Sequence, residues 1–187
     1  MPNTCDTLCG SLPDAVLYND REIKFNTDYR TWLGIEKLLL DDDIAPDMCQ
    51  LTAVKMIFPD EKYSGDLFRF IVWFYRCGEP PKECSGGSRR AYDVRYDGAY
   101  IYAAFYQQYG IDLVEMNMHW WKYRALFKGL KDTKFNDITG WRASDIDVDM
   151  PESRKQFLYD MQELYELPIT SIYEQQRYTA AKAFYGE

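Results

Sequence analysis

The amino-acid sequence predicts a mainly α protein, a compact bundle of about seven helices with a small β-hairpin near the N-terminus. Three observations support this prediction. Apolar residues recur at steps of three and four over most of the chain, as they do on one face of a helix. Prolines and glycines divide these segments at helix-length intervals. Only residues 12–27 alternate apolar and polar residues in the manner of strands.

The length of 187 residues fits one domain with a substantial core. We expect a flexible N-terminus over residues 1–11 and a single, mainly helical domain over residues 12–187. Segment 78–90, GEPPKECSGGSRR, combines prolines, adjacent glycines and charges, which predicts a mobile loop.

The N-terminal elements follow from local signals. Alternating apolar residues on either side of the turn pair Asn19-Asp20 predict the hairpin. Asn26 or Thr27 can accept a hydrogen bond from a free helical N–H, so each is a candidate N-cap for a helix over residues 28–40.

Prolines bound the second helix, which begins at Pro46 and stops before Pro59. The third, residues 66–77, is apolar nearly all round and is expected to be central. Gly110 suits the left-handed cap of the fourth. The fourth predicted helix covers about residues 91–110. The remaining predicted helices cover about residues 113–130, 136–141, 151–167 and 170–185.

Charge and cysteine content exclude several classes of protein. A net charge of −8 argues against nucleic-acid and anionic-membrane partners, which need a basic surface. The longest apolar run, residues 67–75, is too short to span a bilayer and contains Arg69. Five cysteines at irregular spacing, without a signal-peptide pattern, predict reduced thiols in a cytoplasm.

Aromatic residues make up 17% of the chain, which indicates ring-filled helix interfaces or a surface for a partner protein. Arg89 and Arg90 directly precede a predicted helix start, where the helix dipole does not favour them, and we expect them to be free to meet an acidic partner. The candidate partner-binding residues are Tyr100, Tyr102, Tyr106, Trp121, Arg89 and Arg90.

The one histidine of the chain, His119, lies beside two tryptophans in MHWWKYRALFKGL. Residues from Met116 to Leu130 form an apolar stripe at steps of four and three, with His119 at its edge. We interpret His119 as a packed structural residue, with a ligand or catalytic role as the less favoured alternative. The candidate structural core of this segment is His119, Trp120, Tyr123 and Phe127. If Trp121 is exposed while Trp120 is buried, the outer helix face is the first place to look for a partner.

No motif supports a cofactor, a metal or catalysis. The cysteine spacings do not match zinc sites, and DIDVDM at 145–150 lacks the glycine and glutamate of a calcium loop. We expect that segment to be a connector with its acids outward and Ile146 and Val148 inward. GGSRR lacks the spacing of a phosphate-binding loop. We therefore predict no enzyme, no cofactor and no metal, and no catalytic residue.

Three blocks of the sequence resemble the Gp15 family of bacteriophages, small tail-region proteins of siphophages of Gram-positive bacteria. They are NTDYRTWLGIEKLL, YDVRYDGAYIYAAFYQQYGIDLVE and MHWWKYRALFKGLKDTKFNDITGWRASDI. The resemblance covers roughly residues 12–155, and none of its blocks is an enzyme signature.

The resemblance implies a tail assembly chaperone, because such genes usually lie between those for the major tail protein and the tape-measure protein. Such a protein would keep the tape-measure protein soluble and help recruit the major tail protein. Self-association of the chain is left open as a further interaction. It would act in the host bacterial cytoplasm during virion assembly and be absent from the mature virion. The alternative is a structural tail component, a connector or tail completion protein, retained in the virion.

Overall fold

Seven helices and one two-stranded hairpin lie in the part of the chain that the structure describes, so the mainly α prediction is confirmed. The structure is a computed structural model that describes residues 10–41, 43–80 and 90–168. Its elements in chain order are β1 (Ala15–Tyr18), β2 (Arg21–Lys24), α1 (Tyr29–Leu39), α2 (Pro46–Ile57), α3 (Gly65–Tyr75), α4 (Gly98–Tyr109), α5 (Trp120–Lys128), α6 (Lys134–Ala143) and α7 (Glu152–Leu164).

The chain divides into two compact units. Of the described residues, unit 1 contains 10–41, 43–80 and 117–125, and unit 2 contains 90–116 and 126–168. The expectation of one domain stays a prediction.

Three predictions fall largely or wholly outside the described residues. They concern the N-terminal segment 1–11, most of the loop 78–90, and the last helix, 170–185. The flexibility of the first two and the existence of the third therefore stay predictions.

The predicted hairpin is confirmed, and its turn has the geometry that its sequence favours. Asn19 and Asp20 have φ angles of 51° and 58°, the positive values of a two-residue type I′ turn. This turn fixes an antiparallel register in which Val16 lies opposite Ile23. Just after β2, Phe25 packs its ring edge-on against Phe74, with 4.8 Å between centroids, and so anchors the hairpin to unit 1.

Helix α1 begins later than the predicted cap. Asp28 is the N-cap, and its side chain accepts from the N–H of Arg30 at 3.0 Å. The prediction of Asn26 or Thr27 was wrong, because Asn26 uses its side chain to accept from the N–H of Asp28. Thr27 instead gives its carbonyl to the N–H of Trp120, which keeps this part of the chain extended.

Helices α2 and α3 complete the core of unit 1. Pro46 occupies the first turn of α2, and the helix ends before Pro59, as predicted. Ser64 caps α3 by accepting from the N–H of Asp66 at 3.2 Å. The buried face of α3 confirms its central place; its members are Leu67, Phe70, Ile71 and Phe74.

Gly78 ends the turn after α3 in close contact with two indoles. Its φ of +76° lies in the left-handed region, and a Cβ there would meet Trp121 at 3.4 Å and Trp73 at 3.6 Å. The contacts are at ordinary van der Waals distance, so it is the backbone geometry that favours glycine at this position.

Helix α4 is shorter than predicted at its start and ends as predicted. Gly110, with φ of 66°, forms its left-handed cap. The helix begins at Gly98 instead of residue 91, because Asp97 accepts the N–H of Asp93 with its side chain at 2.9 Å. That bond closes a separate turn in which both carboxylates are buried.

Helix α5 is also shorter, since the predicted start at residue 113 is wrong. Met118 accepts from the N–H of Tyr29 at 2.9 Å, and Trp120 donates to Thr27 at 2.8 Å. These bonds form an antiparallel bridge between Asp28 and His119, so the chain is extended where the sequence pattern is helical. The apolar stripe is thus split between a strand-like bridge and a nine-residue helix.

In unit 2, α4 packs on α6 and α6 on α7. Arg142 of α6 joins several segments by donating to Asp97 at 2.7 and 3.0 Å and to the carbonyl of Tyr165 at 2.6 Å. Its side chain is 9% exposed and that of Asp97 is 2% exposed. A buried ion pair with these additional bonds is satisfied, and it fixes the position of the turn before α4.

Candidate partner-binding surface

One face of α4 in unit 2 is apolar and lies at the surface. The helix buries Ile101, Ala104 and Phe105, and most of the opposite face is exposed, with Tyr102 half-buried. We call this face the α4 strip, and its members are Ala99, Tyr102, Ala103 and Tyr106. The rings of its two tyrosines stack at an angle of 15° with 6.3 Å between centroids, and Tyr106 is 58% exposed.

A turn after α4 lies beside the strip. Asp112 accepts from the hydroxyl of Tyr102 at 3.1 Å and from the N–H of Val114 at 2.8 Å, which ties the turn to the helix. The hydrogen bond to Asp112 raises the pKa of Tyr102, with smaller contributions from desolvation and nearby charges. Val114 is 74% exposed and Met116 is 45% exposed, so the turn adds further apolar surface.

The composition of the α4 strip suits binding. Tyrosine offers a large contact area with few rotatable bonds and a polar tip, and alanine allows a partner's backbone to approach. A contiguous exposed apolar face is also the usual mark of an interaction site.

Two of the sequence-predicted partner residues, Tyr102 and Tyr106, lie together on the α4 strip, and the other two aromatic candidates are not part of it. Tyr100 is half-buried and meets the ring of Tyr165 edge-on at 6.3 Å. Trp121 is only 3% exposed, and its indole N–H donates to the carbonyl of Phe74 at 2.9 Å. The condition of an exposed Trp121 beside a buried Trp120 is not met, and the candidate role of Trp121 at a partner surface is contradicted, because this indole fills the space beside α3.

The two candidate arginines differ in what the structure shows of them. Arg90 forms an ion pair with Asp93, whose side chain is 3% exposed. The expectation that Arg90 is free to meet a partner was therefore wrong, since its charge already serves a buried carboxylate. Arg89 lies outside the described residues, and its role stays a prediction.

His119 is held by two backbone groups. Its Nδ1 accepts from the N–H of Trp121 at 3.1 Å, and its Nε2 lies 3.1 Å from the carbonyl of Pro13. These contacts require a neutral ring with its proton on Nε2, which donates to Pro13. Burial lowers the pKa of His119, and the charge of Lys122 lowers it further, while the Pro13 carbonyl and Asp14 oppose the shift. Such bonding fits a structural residue.

We expect the neutral His119 ring to make the stability of the protein depend on pH. Its pKa in the folded chain is lower than the ordinary 6.5, so the unfolded chain takes up the proton first as the pH falls. We expect the stabilisation by His119 to be complete above about pH 6.5 and to decrease as the pH falls towards the folded pKa. Denaturant unfolding between pH 8 and pH 5 measures this effect.

His119→Gln is the control for that measurement, because glutamine does not titrate. The difference in free energy of unfolding between the wild type and this variant should be largest near neutral pH and shrink as the pH falls below about 6.5. A difference that stays constant over the whole range would contradict the assignment of a neutral, buried ring.

Comparison with known proteins supports one relationship. The family model described as Bacteriophage Gp15 protein matches residues 8–167 of the chain. This chain belongs to the Gp15 family. The resemblance seen in the sequence is thereby confirmed, and the chain is a phage protein. No curated protein and no solved structure matches it significantly.

The core predicted around His119 in this Gp15-family chain is formed in part as expected. Trp120 is completely buried, and Tyr123 is 2% exposed and stacks on Tyr29 with 4.8 Å between centroids. Phe127 is half-buried in unit 2, where it contacts Phe135 with 5.4 Å between centroids. Met116, which the stripe placed with them, lies in the exposed turn after α4.

The described residues of this family member offer no group of three or more His, Cys, Asp or Glu placed to hold a metal ion. Cys49 donates to the carbonyl of Leu38 at 3.4 Å, and burial, with Asp41, raises the pKa of its thiol.

In the connector 145–150, Val148 is 87% exposed, so its predicted inward position was wrong. No helix in the described ranges is long and apolar enough to cross a membrane.

Sequence reasoning missed the contribution of Val114 and Met116 to the exposed surface. Both fit the apolar periodicity of a helix that the chain does not form. The available signal was Asp112, which can accept from N–H groups two residues on and so favours a local turn over helix continuation.

Proposed function

We propose that this chain is a tail assembly chaperone that binds the tape-measure protein, keeps it soluble and assists tail-tube assembly without catalysing a reaction. The exposed α4 strip in a member of a phage family is the observation that carries the proposal. In this proposal the protein acts in the host cytoplasm and leaves before the virion matures.

The α4 strip suits a helical client. A tape-measure helix is amphipathic and would expose its apolar face to water before the tail tube encloses it. Two stacked tyrosines and two alanines present a face onto which such a helix can pack through side chains three and four residues apart. The net charge of −8 adds solubility to the complex and attracts basic segments of a client.

The proposal of a non-catalytic protein rests on the environment of His119. Both ring nitrogens contact backbone groups, so neither is available to a substrate in this arrangement. If His119 were catalytic, His119→Gln would abolish function at a temperature where the variant is folded. We expect the folded variant to support tail assembly as the wild type does.

Tyr106→Ala should disrupt client binding without unfolding the protein. Tyr106 is 58% exposed, so its loss removes contact area and leaves the core intact. A loss of about 1 kcal/mol of binding free energy raises the Kd about fivefold. When the variant is co-expressed with the tape-measure protein of the same phage, we therefore expect the soluble fraction of that protein to fall.

Tyr159→Ala is the matched control, because Tyr159 lies on α7 and is 56% exposed. It should leave the soluble fraction unchanged. Equal losses in the two variants would contradict a binding role for the α4 strip. A tape-measure protein that stays insoluble with the wild-type chain would contradict the chaperone proposal itself.

Mass spectrometry of purified virions separates the proposal from its alternative. A chaperone should be missing from mature particles. A connector or tail completion protein would be present at a defined copy number, and that result would favour the structural role.

A further inference from the structure

Within the described part of the chain, the β1 edge of the hairpin in unit 1 has backbone groups without a partner strand. The N–H of Phe25 donates to the carbonyl of Asp14 at 3.2 Å. This bond and the two-residue turn at 19–20 show which residues of β1 direct their N–H and C=O groups towards β2. Peptide groups of Val16 and Tyr18 consequently face β2, and those of Ala15 and Leu17 face away from it. Among the described residues, no loop or helix bonds to the backbone of Ala15 or Leu17.

An apolar groove runs along this free edge. It lies between β1 and α3, has a volume of about 540 Å³, and includes Val16, Phe70 and Trp73 in its lining. That volume is within the range of sites that bind ligands in proteins. Asp66 and Arg69, one turn apart on α3, form an exposed ion pair of 3.3 Å at the groove, so no unpaired charge opposes an apolar ligand there.

The two edges of the hairpin are protected to different degrees. On β2, the residues whose peptide groups face outward are Glu22 and Lys24, and both are charged and exposed. β1 has neither a charged residue nor a proline, and Leu17 is 75% exposed. Proteins usually block an open strand edge with charge, proline or a covering segment. The β2 edge is blocked in this way, whereas no described residue covers the β1 edge, which adjoins an apolar groove.

We propose that the groove between β1 and α3 binds an extended polypeptide segment of a partner protein by β-strand addition. The segment pairs with the outward N–H and C=O groups of Ala15 and Leu17. Its residue opposite Val16 shares the inner face of the sheet and enters the groove, so the segment carries apolar side chains at alternate positions. A helical ligand does not fit this site, because its N–H groups are already bonded within the helix.

This site is independent of the α4 strip, which lies in unit 2 and suits a helix. The inference therefore goes beyond the chaperone proposal, and either can fail without the other. Its consequence is that the protein recognises two kinds of segment, one helical and one extended.

Hydrogen exchange of the free protein tests the open edge first. In the monomer, we expect the amides of Val16 and Tyr18 to exchange slowly and those of Ala15 and Leu17 to exchange rapidly. Protection of Leu17 in the free monomer would mean that the chain covers its own edge. Protection that is lost on dilution would mean that a second copy covers it. Either result would overturn the proposal.

A synthetic peptide then tests the ligand. The probe is the acetylated heptapeptide Lys-Val-Thr-Val-Thr-Val-Lys, with apolar residues at alternate positions. On binding, we expect the amides of Ala15 and Leu17 to become protected while those of Glu22 and Lys24 stay unprotected. Absence of binding up to about 1 mM would overturn the proposal, since that corresponds to a binding free energy of only about −4 kcal/mol.

N-methylation of the probe tests whether backbone pairing is the cause of binding. In an added strand, alternate amides face β1, so methylation of either the valine set or the threonine set should abolish binding while the other set is tolerated. Equal effects of the two sets would contradict strand addition.

Leu17→Pro tests the site from the side of the protein. It removes an outward N–H, and we expect the Kd for the probe to rise at least about tenfold. Glu22→Pro is the matched control, because Glu22 lies opposite Leu17 in the ladder and its N–H faces outward on the other edge. This control should change the Kd less than about twofold. Equal weakening in both variants would overturn the proposal.

Leu17→Lys keeps the backbone N–H and adds a charge of the kind that blocks β2. Leu17→Lys is the variant to use if proline disturbs the hairpin. We expect it to weaken binding of the lysine-flanked probe several-fold. Retention of full affinity in this folded variant would also contradict binding at the β1 edge.

Discussion

Arg142→Ala is expected to lower the free energy of unfolding by about 3–5 kcal/mol. The substitution leaves the carboxylate of Asp97, which is 2% exposed, without its opposite charge. It also removes the bonds to the carbonyls of Tyr165 and Ala91, so segments before α4 and after α7 lose a shared partner. Urea unfolding, followed by tryptophan fluorescence and circular dichroism, measures the loss.

Two controls separate the buried pair from a general effect of charge removal. Arg69→Ala breaks an ion pair whose side chains are 74% and 72% exposed, and it should cost less than about 1 kcal/mol. Arg142→Lys keeps the charge but cannot match the two-pronged contact with Asp97, so an intermediate loss is expected. Similar losses for Arg69→Ala and Arg142→Ala would show that burial of the Asp97 pair contributes little.

Trp120→Ala should destabilise the protein by a similar amount, about 3–5 kcal/mol. Trp120 is completely buried, and its ring stacks on Tyr123 and Tyr75 with centroid distances of 5.6 and 5.5 Å. Its indole N–H donates to the carbonyl of Tyr75 at 2.9 Å, so the substitution creates a cavity and removes that bond. The same unfolding measurement applies, with circular dichroism as the main signal.

Trp120→Phe and Tyr106→Ala are the controls for the loss of stability expected in Trp120→Ala. Phenylalanine keeps much of the ring packing and loses the indole N–H, so a smaller loss is expected. Tyr106→Ala removes a ring that is mostly exposed, and it should change stability by less than about 0.5 kcal/mol. A loss at Trp120→Ala as small as that at Tyr106→Ala would contradict the central position of this indole.

The elements with strong local signals were predictable. Asn19-Asp20 defines its own turn, Pro46 and Pro59 bound α2, and Gly110 ends α4. Each of these residues restricts or permits particular backbone angles, and this property acts within a few residues of chain. Long-range contacts are not needed to determine such positions.

Element starts that depend on distant partners were not predictable in the same way. A helix was expected from residue 113, but the chain there forms a bridge between His119 and Asp28, which are far apart in sequence. A helix was also expected from residue 91, but the chain there forms a turn in which the side chain of Asp97 accepts from a backbone N–H. The buried charge of Asp97 is balanced by Arg142. Local periodicity favoured helix in both segments, and hydrogen bonds to other parts of the chain overrode it.

The candidate surface was predicted only in part. Sequence reasoning selected Tyr102 and Tyr106, and it also selected Trp121, which is buried. An aromatic residue carries the same hydrophobic surface in a core as at an interface, so residue type does not distinguish the two. That no described residue bonds to the outer edge of β1 could not be foreseen either, because it depends on what lies beside Leu17 in space.

For this protein, the sequence by itself determined the helical class, the hairpin turn, most helix ends and the Gp15 family. These follow from local backbone preferences, side-chain periodicity and matching blocks of sequence. The tertiary structure alone decided which aromatic residues are buried, which charges are paired, and which strand edge has no partner among the described residues. Those properties depend on the close approach of segments that are distant in sequence, and solvent exposure and hydrogen bonding are fixed only when that approach has occurred.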